Sequence, residues 1–203
     1  MATTFHGDRA IYRYVDLLAT AGTVRGLLGP REVPRLWDRH IRNCAAAAPA
    51  FPPGAKVADV GSGAGLPGLV LAMARPDLHV TLIEPLLRRT TFLSEVVADL
   101  GLTTVDVVRG RAEDHDDTFD VVTSRAVAPL EKLLRWCLPL CRPGGLVLAL
   151  KGSSAEDELA AAQPLLRTYR ISNARVDEYP AGADGSTRVV RLESPMIGRT
   201  KKS

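Results

Sequence analysis

Glycines crowded into one short segment constrain this chain more than any other feature. The segment VADVGSGAGLPG (residues 57–68) sets an apolar run against Gly61, Gly63, Gly65 and Gly68, then leads into a helical pattern. A strand that turns into a helix through glycines can take positive φ and let a ligand approach its main chain closely. The helix beyond it offers its first, unpaired N–H groups. Such a turn predicts a site for something small and polar. Gly63 to Gly68 also satisfies G-x-G-x-x-G, so the loop alone does not separate a dinucleotide from other ligands.

The segments downstream of the turn set the fold class. Apolar runs at 56–60, 79–84, 105–109, 119–123 and 145–151 read as strands, and the patterns at 66–74, 86–100 and 128–140 read as helices. This alternation predicts an α/β fold with a mostly parallel sheet covered by helices on both faces. After a helix at 155–166, the segments 170–178 and 187–193 flank a Gly-rich loop at 180–185, which predicts a C-terminal antiparallel hairpin at the sheet's end. Upstream, Ile11, Val15, Leu18, Val33, Leu36, Trp37 and Ile41 recur at three- and four-residue spacing, predicting two or three amphipathic helices. The Pro/Gly cluster at 49–54 divides an N-terminal helical extension (1–54) from one compact domain (55–203).

Composition excludes several other classes. At 203 residues, 46% hydrophobic and 24% charged, the chain can bury one full core. Charge is interspersed from the start, and no apolar run approaches the roughly 18 to 20 residues of a membrane span, so no export signal or membrane role is expected. Cys44, Cys137 and Cys141 have neither C-x-x-C spacing nor nearby histidines, which predicts reduced structural thiols and no metal site. The net charge of +3 says little about partners. Its distribution says more: residues 1–54 carry seven arginines against four acids, and the tail adds Arg199, Lys201 and Lys202. Basic ends of this kind can attract phosphates, although a basic helix face can also be merely solvated.

The residues around the turn narrow the ligand. Asp59 opens D-x-G-x-G-x-G, and Glu84 ends the next strand, where a carboxylate can accept the hydroxyl protons of a ribose. NAD and S-adenosylmethionine sites both use that acid. S-adenosylmethionine is favoured by Ala112-Glu113 after the third strand, where an adenine edge would lie, by the Pro143-Gly-Gly145 turn, and by the closing hairpin. Arg125 stands at the carboxyl end of the fourth strand, placed to meet a carboxylate or phosphate through its planar fork. Lys151 and Arg188 occupy comparable edges, while Arg35, Arg39 and His40 sit in the basic extension, so all five are candidates for contact with phosphates. Trp37 and His40 also suit packed positions.

Taken together, DVGSGAGLPG, GRAEDH (110–115), TSRAVA (123–128), LALKG (148–152) and LWDRH (36–40) resemble the bacterial small-subunit (16S) ribosomal RNA guanine-N7 methyltransferase family, RsmG, also called GidB. The resemblance spans roughly residues 33–193. It implies a class I S-adenosylmethionine-dependent methyltransferase with a Rossmann-like fold, acting in the cytoplasm as a monomer on ribosomal RNA, a 30S subunit or an assembly intermediate. Cofactor contacts carry over to Gly61, Leu66, Ala112, Glu113 and Arg125, and the residue reading adds Gly63, Gly65 and Glu84. Where family members often read R-H-x-x-D-S, this chain has Asn43 and Cys44 in place of the last two. The rival readings are an NAD-dependent oxidoreductase on the same loop and a non-catalytic RNA- or cofactor-binding assembly factor.

Overall fold

The computed structural model describes residues 9–182 and 185–195. The tail cations Arg199, Lys201 and Lys202, and loop residues Ala183 and Asp184, lie outside them. Seven strands, β1 (Lys56–Val60), β2 (His79–Glu84), β3 (Val105–Arg109), β4 (Phe119–Arg125), β5 (Cys141–Lys151), β6 (Ala174–Pro180) and β7 (Ser186–Glu193), form one sheet in the order β3-β2-β1-β4-β5-β7-β6. Strands β1 to β5 pair in parallel, and β7 inserts antiparallel between β5 and β6. The expected architecture, mostly parallel with a C-terminal antiparallel hairpin, is the one observed.

Alternation along the strands divides the molecule into two cores. On one face Val57, Val80, Leu82, Val121 and Leu148 pack with α1 (Arg9–Leu17), α2 (Arg42–Ala46), α3 (Gly68–Ala74) and α4 (Leu87–Asp99). On the other, Ala58, Ile83, Val122, Val147 and Val190 meet α5 (Leu130–Leu140), α6 (Ala155–Ala161) and α7 (Gln163–Thr168). The helix expected over 155–166 is divided at Ala162, because Pro164 cannot donate within a helix but fits the first turn of a new one.

Two further departures have local causes. Strand β5 starts at Cys141, not at Gly145, and its register against β4 shifts between Phe119 and Val121. The strand passes there only because Gly145 lacks a side chain: a Cβ would stand 2.8 Å from the Asp120 carbonyl oxygen. In the extension, the expected two or three regular helices give way after α1 to a wide turn at Leu18–Gly22, a tight one at Pro30–Arg35 and another wide one at Leu36–Ile41 before α2. Pro34, inside the tight turn, withholds an N–H group that a regular helix needs.

The extension nevertheless packs as deeply as the sheet. Ile11, Tyr14, Leu18 and Ile41 are fully buried in the same core as α3 and α4. Arg13 pairs with Asp99 at 2.8 Å and Arg25 with Glu95 at 2.7 Å, so part of the basic face is used to dock on α4. Tyr14 also donates its hydroxyl to the Ala64 carbonyl oxygen at 2.8 Å, tying α1 to the glycine turn. Removing that hydroxyl in Tyr14→Phe should lower stability by about 1 kcal/mol. Urea unfolding would register this as a lower midpoint at unchanged slope, and an unshifted midpoint would show that the bond contributes nothing net.

Candidate functional site

Strand order reverses between β1 and β4, and in open α/β sheets ligands bind outside the carboxyl ends of strands at such a point. A cavity of about 650 Å³ opens there. Of the residues singled out in the sequence, it gathers His40, Gly61, Gly63, Leu66, Glu84, Ala112, Glu113 and Arg125, and it adds Leu27, Leu28 and Trp136. The glycines serve different ends. Gly63 has φ +60°, and a Cβ built on it would meet nothing closer than the Gly61 carbonyl at 3.8 Å, although the residue lines the cavity. Its missing side chain leaves space for a ligand. At Gly65, with φ +101°, a Cβ would lie 2.3 Å from Leu69 Cδ1, so this glycine lets the turn close onto α3.

Glu84 is buried at the end of β2. Its Oε2 accepts from the Gly63 N–H at 3.0 Å and from Arg89 at 3.3 Å, and its Oε1 accepts from the Leu86 N–H at 3.1 Å. An ionised carboxylate offers about four acceptor positions, and three are filled, so the group retains capacity toward the cavity. With the bare main chain at Gly63, this gives the chemistry that a ribose-bearing cofactor needs.

Asp59 sits at the other end of the turn, with zero exposure. Its Oδ2 accepts from the Gly68 N–H at 3.0 Å, and Ser62 donates to its backbone carbonyl at 2.8 Å, but Oδ1 has no partner. Burial pushes this carboxyl up to about 7. Asp59 lines neither this cavity nor its neighbour, which makes it an anchor for the turn.

Arg125 closes the cavity's far wall. Nη2 donates to the Arg39 carbonyl at 2.9 Å and contacts His40 Nδ1 at 3.0 Å, and Nη1 reaches the buried Cys44 thiol at 3.5 Å. A guanidinium has five N–H donors, so two remain for a carboxylate or phosphate. His40 Nε2 lies 2.8 Å from Glu32 Oε2. Both ring nitrogens are therefore engaged, which leaves His40 no polar atom for an RNA contact. Cys44 packs under the guanidinium, and burial pushes its thiol up to about 11.

A second, more polar cavity of about 670 Å³ adjoins the first and shares Arg125, Ala126 and Val127 with it. It is lined by Arg39, Asn43, Lys151 and Arg188 among others. Lys151 is nearly buried: Nζ pairs with Glu158 at 2.7 Å and donates to the Ala128 carbonyl at 2.6 Å, bracing the loop after β4. Arg188 has looser partners, Glu156 at 3.6 Å and Glu178 at 3.9 Å, and Arg39 is exposed with Glu32 at 3.4 Å. Arg35 is exposed and outside both cavities. Sequence reasoning missed Tyr14, Glu32, Arg89 and Trp136. Of these only Arg89, five residues after Glu84, had a local signal.

The two glycines should separate binding from folding. Gly63→Ala should fold with a modest loss from its positive φ and lose S-adenosylmethionine affinity by calorimetry, whereas Gly65→Ala should show a lowered melting temperature first. Equal affinity in Gly63→Ala and wild type would remove this turn from the cofactor site. For Asp59, the folded carboxyl holds its proton up to about 7 while the ordinary value is 3.8. The folded state therefore binds the extra proton across that window, and wild-type stability should fall relative to Asp59→Asn as pH rises from 3.8 toward 7. Urea titrations of both proteins across the window should show the divergence; parallel curves would mean that Asp59 ionises normally.

Comparison with known proteins bears on this geometry. The family described as rRNA small subunit methyltransferase G (GidB) matches residues 8–186. Proteins called ribosomal RNA small subunit methyltransferase G are 61% identical in Nocardioides sp., over 85% of this chain and 69% of that one, and 61% identical in Salinispora arenicola, over 99% and 88%. Among solved structures, P. horikoshii TYW2 in complex with MeSAdo shares the fold, with TM-score 0.61, 14% identity, and coverage of 78% of this chain and 63% of that one. With the family matched from the N-terminal extension through the glycine turn, the Arg125 segment and β6, this chain belongs to the rRNA small subunit methyltransferase G family.

Proposed function

We propose that this methyltransferase carries the S-adenosylmethionine methyl group to N7 of a guanine in small-subunit ribosomal RNA, with the first cavity holding the cofactor and the second receiving the RNA. The observation that carries the reading is the junction of the two cavities at Arg125, Ala126 and Val127. A donor held on one side and a base on the other would meet there. Neither the fold nor the family favours a nicotinamide enzyme or a non-catalytic module.

In this reading Glu84 accepts from the ribose hydroxyls, the main chain at Gly61 and Gly63 gives the cofactor close approach, and Ala112 and Glu113 meet the adenine edge. Leu66 lies in the turn two residues before α3 rather than at the head of a helix starting at 66, and Gly65 holds the turn in shape. When bound, S-adenosylmethionine supplies an electrophilic methyl group on a sulfonium. The protein's own task is alignment, because neutral guanine N7 has an available lone pair and no proton to lose. Among the described residues, the buried groups fit that task. Asp59 is sealed from both cavities, and burial pushes the Cys141 thiol up to about 12, which leaves it inert.

Arg125 uses its two spare donors to anchor the methionine carboxylate or a flanking phosphate. Arg39 and Arg188 line the RNA side, and Arg35 adds to the surrounding positive field. Lys151 acts there indirectly, by holding the Ala128 loop. No helix among the described residues is long and apolar enough to cross a membrane. The proposal extends to a cytoplasmic monomer acting on the 30S subunit or an assembly intermediate, with residues 1–54 as an extension of a domain at 55–203.

The test is incubation with radiolabelled S-adenosylmethionine and unmethylated small subunits, followed by mapping of the modified base. One N7-methylated guanine is expected. Cofactor binding without methyl incorporation would support the non-catalytic module instead. Single-turnover assays should show Arg125→Ala losing binding and turnover, and Arg125→Lys losing more turnover than binding because it keeps charge without the fork. Full turnover in Arg125→Ala would remove the anchoring role.

A further inference from the structure

The contacts around His40 fix its protonation state by elimination. Arginine has only donors and stays charged, so the His40 nitrogen 3.0 Å from Arg125 Nη2 must present a lone pair. That nitrogen is Nδ1. In a neutral imidazole the proton then sits on Nε2, where Glu32 Oε2 accepts it at 2.8 Å. Resting on the functional reading above, we propose that His40 is a positioning residue for Arg125 that works only as the neutral Nε2–H tautomer, with Glu32 holding the tautomer and Nδ1 holding the guanidinium.

Protonation would turn the His40 acceptor that faces Arg125 into a donor and set two cations 3.0 Å apart. The guanidinium would have to leave. Its remaining ties, the Arg39 carbonyl and the weakly accepting Cys44 thiol, do not fix the direction of its spare donors. The charged groups around the ring come from three places: Glu32 on the tight turn, Arg39 on the ring's own turn, and Arg125 at the end of β4. Burial is the largest influence and holds His40 below its ordinary value of 6.5; both arginines push the same way, and Glu32 opposes them. The neutral form is thus the resting one at neutral pH.

The consequence is an acid limb in a reaction whose chemistry needs no base. Single-turnover methylation at saturating cofactor and RNA should be flat above about pH 7 and fall about tenfold per unit once His40 protonates, below 6.5. His40→Asn keeps an acceptor near the Nδ1 position and cannot titrate. Its rate should exceed that of His40→Ala, which should fall between about 10- and 100-fold, and its profile should lose the limb. A limb that persists unchanged in His40→Asn would overturn the proposal and transfer the titration to Asp59.

Nitrogen-15 spectra of histidine-labelled protein, with the His40 signals assigned by their loss in His40→Asn, read the ring directly. They should show the Nε2–H tautomer at neutral pH and a shift toward Nδ1–H or a mixture in Glu32→Ala. An Nδ1–H tautomer in wild type would overturn the proposal without any activity measurement. Absence of methylation at every pH alongside the Nε2–H tautomer would instead count against the functional reading and leave the ring's hold on Arg125 standing.

Discussion

A buried carboxylate at the end of β2 ties together the elements that border the first cavity. Burying Glu84 is unfavourable unless its oxygens are met by donors, and two of the donors that meet them are main-chain N–H groups on separate elements, Gly63 and Leu86. The glycine turn and the entry to α4 are thereby fixed to one atom group. The turn is held at its other points in the same way, by Asp59 on the Gly68 N–H and by Ser124 Oγ on the Val60 carbonyl. A loop with three glycines, and so few side chains to pack, is held in place largely by polar bonds from its neighbours.

The extension completes what the sheet leaves open. A crevice at the carboxyl ends of β1 and β4 would be shallow alone, and Leu27, Leu28 and His40 supply one wall. This role explains why the extension's charges are spent unevenly. Arg13 and Arg25 meet acids on α4 and fasten the extension to the sheet's helices, whereas Arg39 borders the polar cavity with a longer pair, alongside Arg188 of β7. A count of arginines cannot distinguish these duties.

Strands were legible because short apolar runs alternating with longer helical patterns leave few alternatives; β1, β2 and β3 run over the residues of those runs. The turns of the extension were not, since tight and wide turns break the 3.6-residue period that marks a helix. Within the candidate site, the glycine turn, Glu84 and Arg125 stood out through type and spacing. Glu32 did not: its partner His40 lies eight residues away across an irregular turn, and the next link, from His40 to Arg125, spans 85. Lys151 was legible as a cation at a strand end, but its pairing with Glu158 depends on how α6 folds back.

The structure also accounts for two motifs that the sequence presents as separate. A Cβ at Gly61 would stand 2.8 Å from Val127 Cγ2, so the first glycine of the turn is required by the valine that comes after Arg125-Ala126. Between them Ala126 takes φ +54°, a left-handed conformation that costs a non-glycine residue roughly 1 to 2 kcal/mol. The chain leaving β4 accepts that strain while Arg125 is held by Arg39 and His40 on one side and Val127 fits over Gly61 on the other. The bend lies where the two cavities meet. The glycine turn and the Ser-Arg-Ala-Val segment are thus two halves of one packing constraint, and it places the space beside the turn next to the space beside Lys151. For the proposed transfer to guanine N7, which needs alignment and no proton transfer, this fit is the chemically important feature, and it arises from the absence of one side chain.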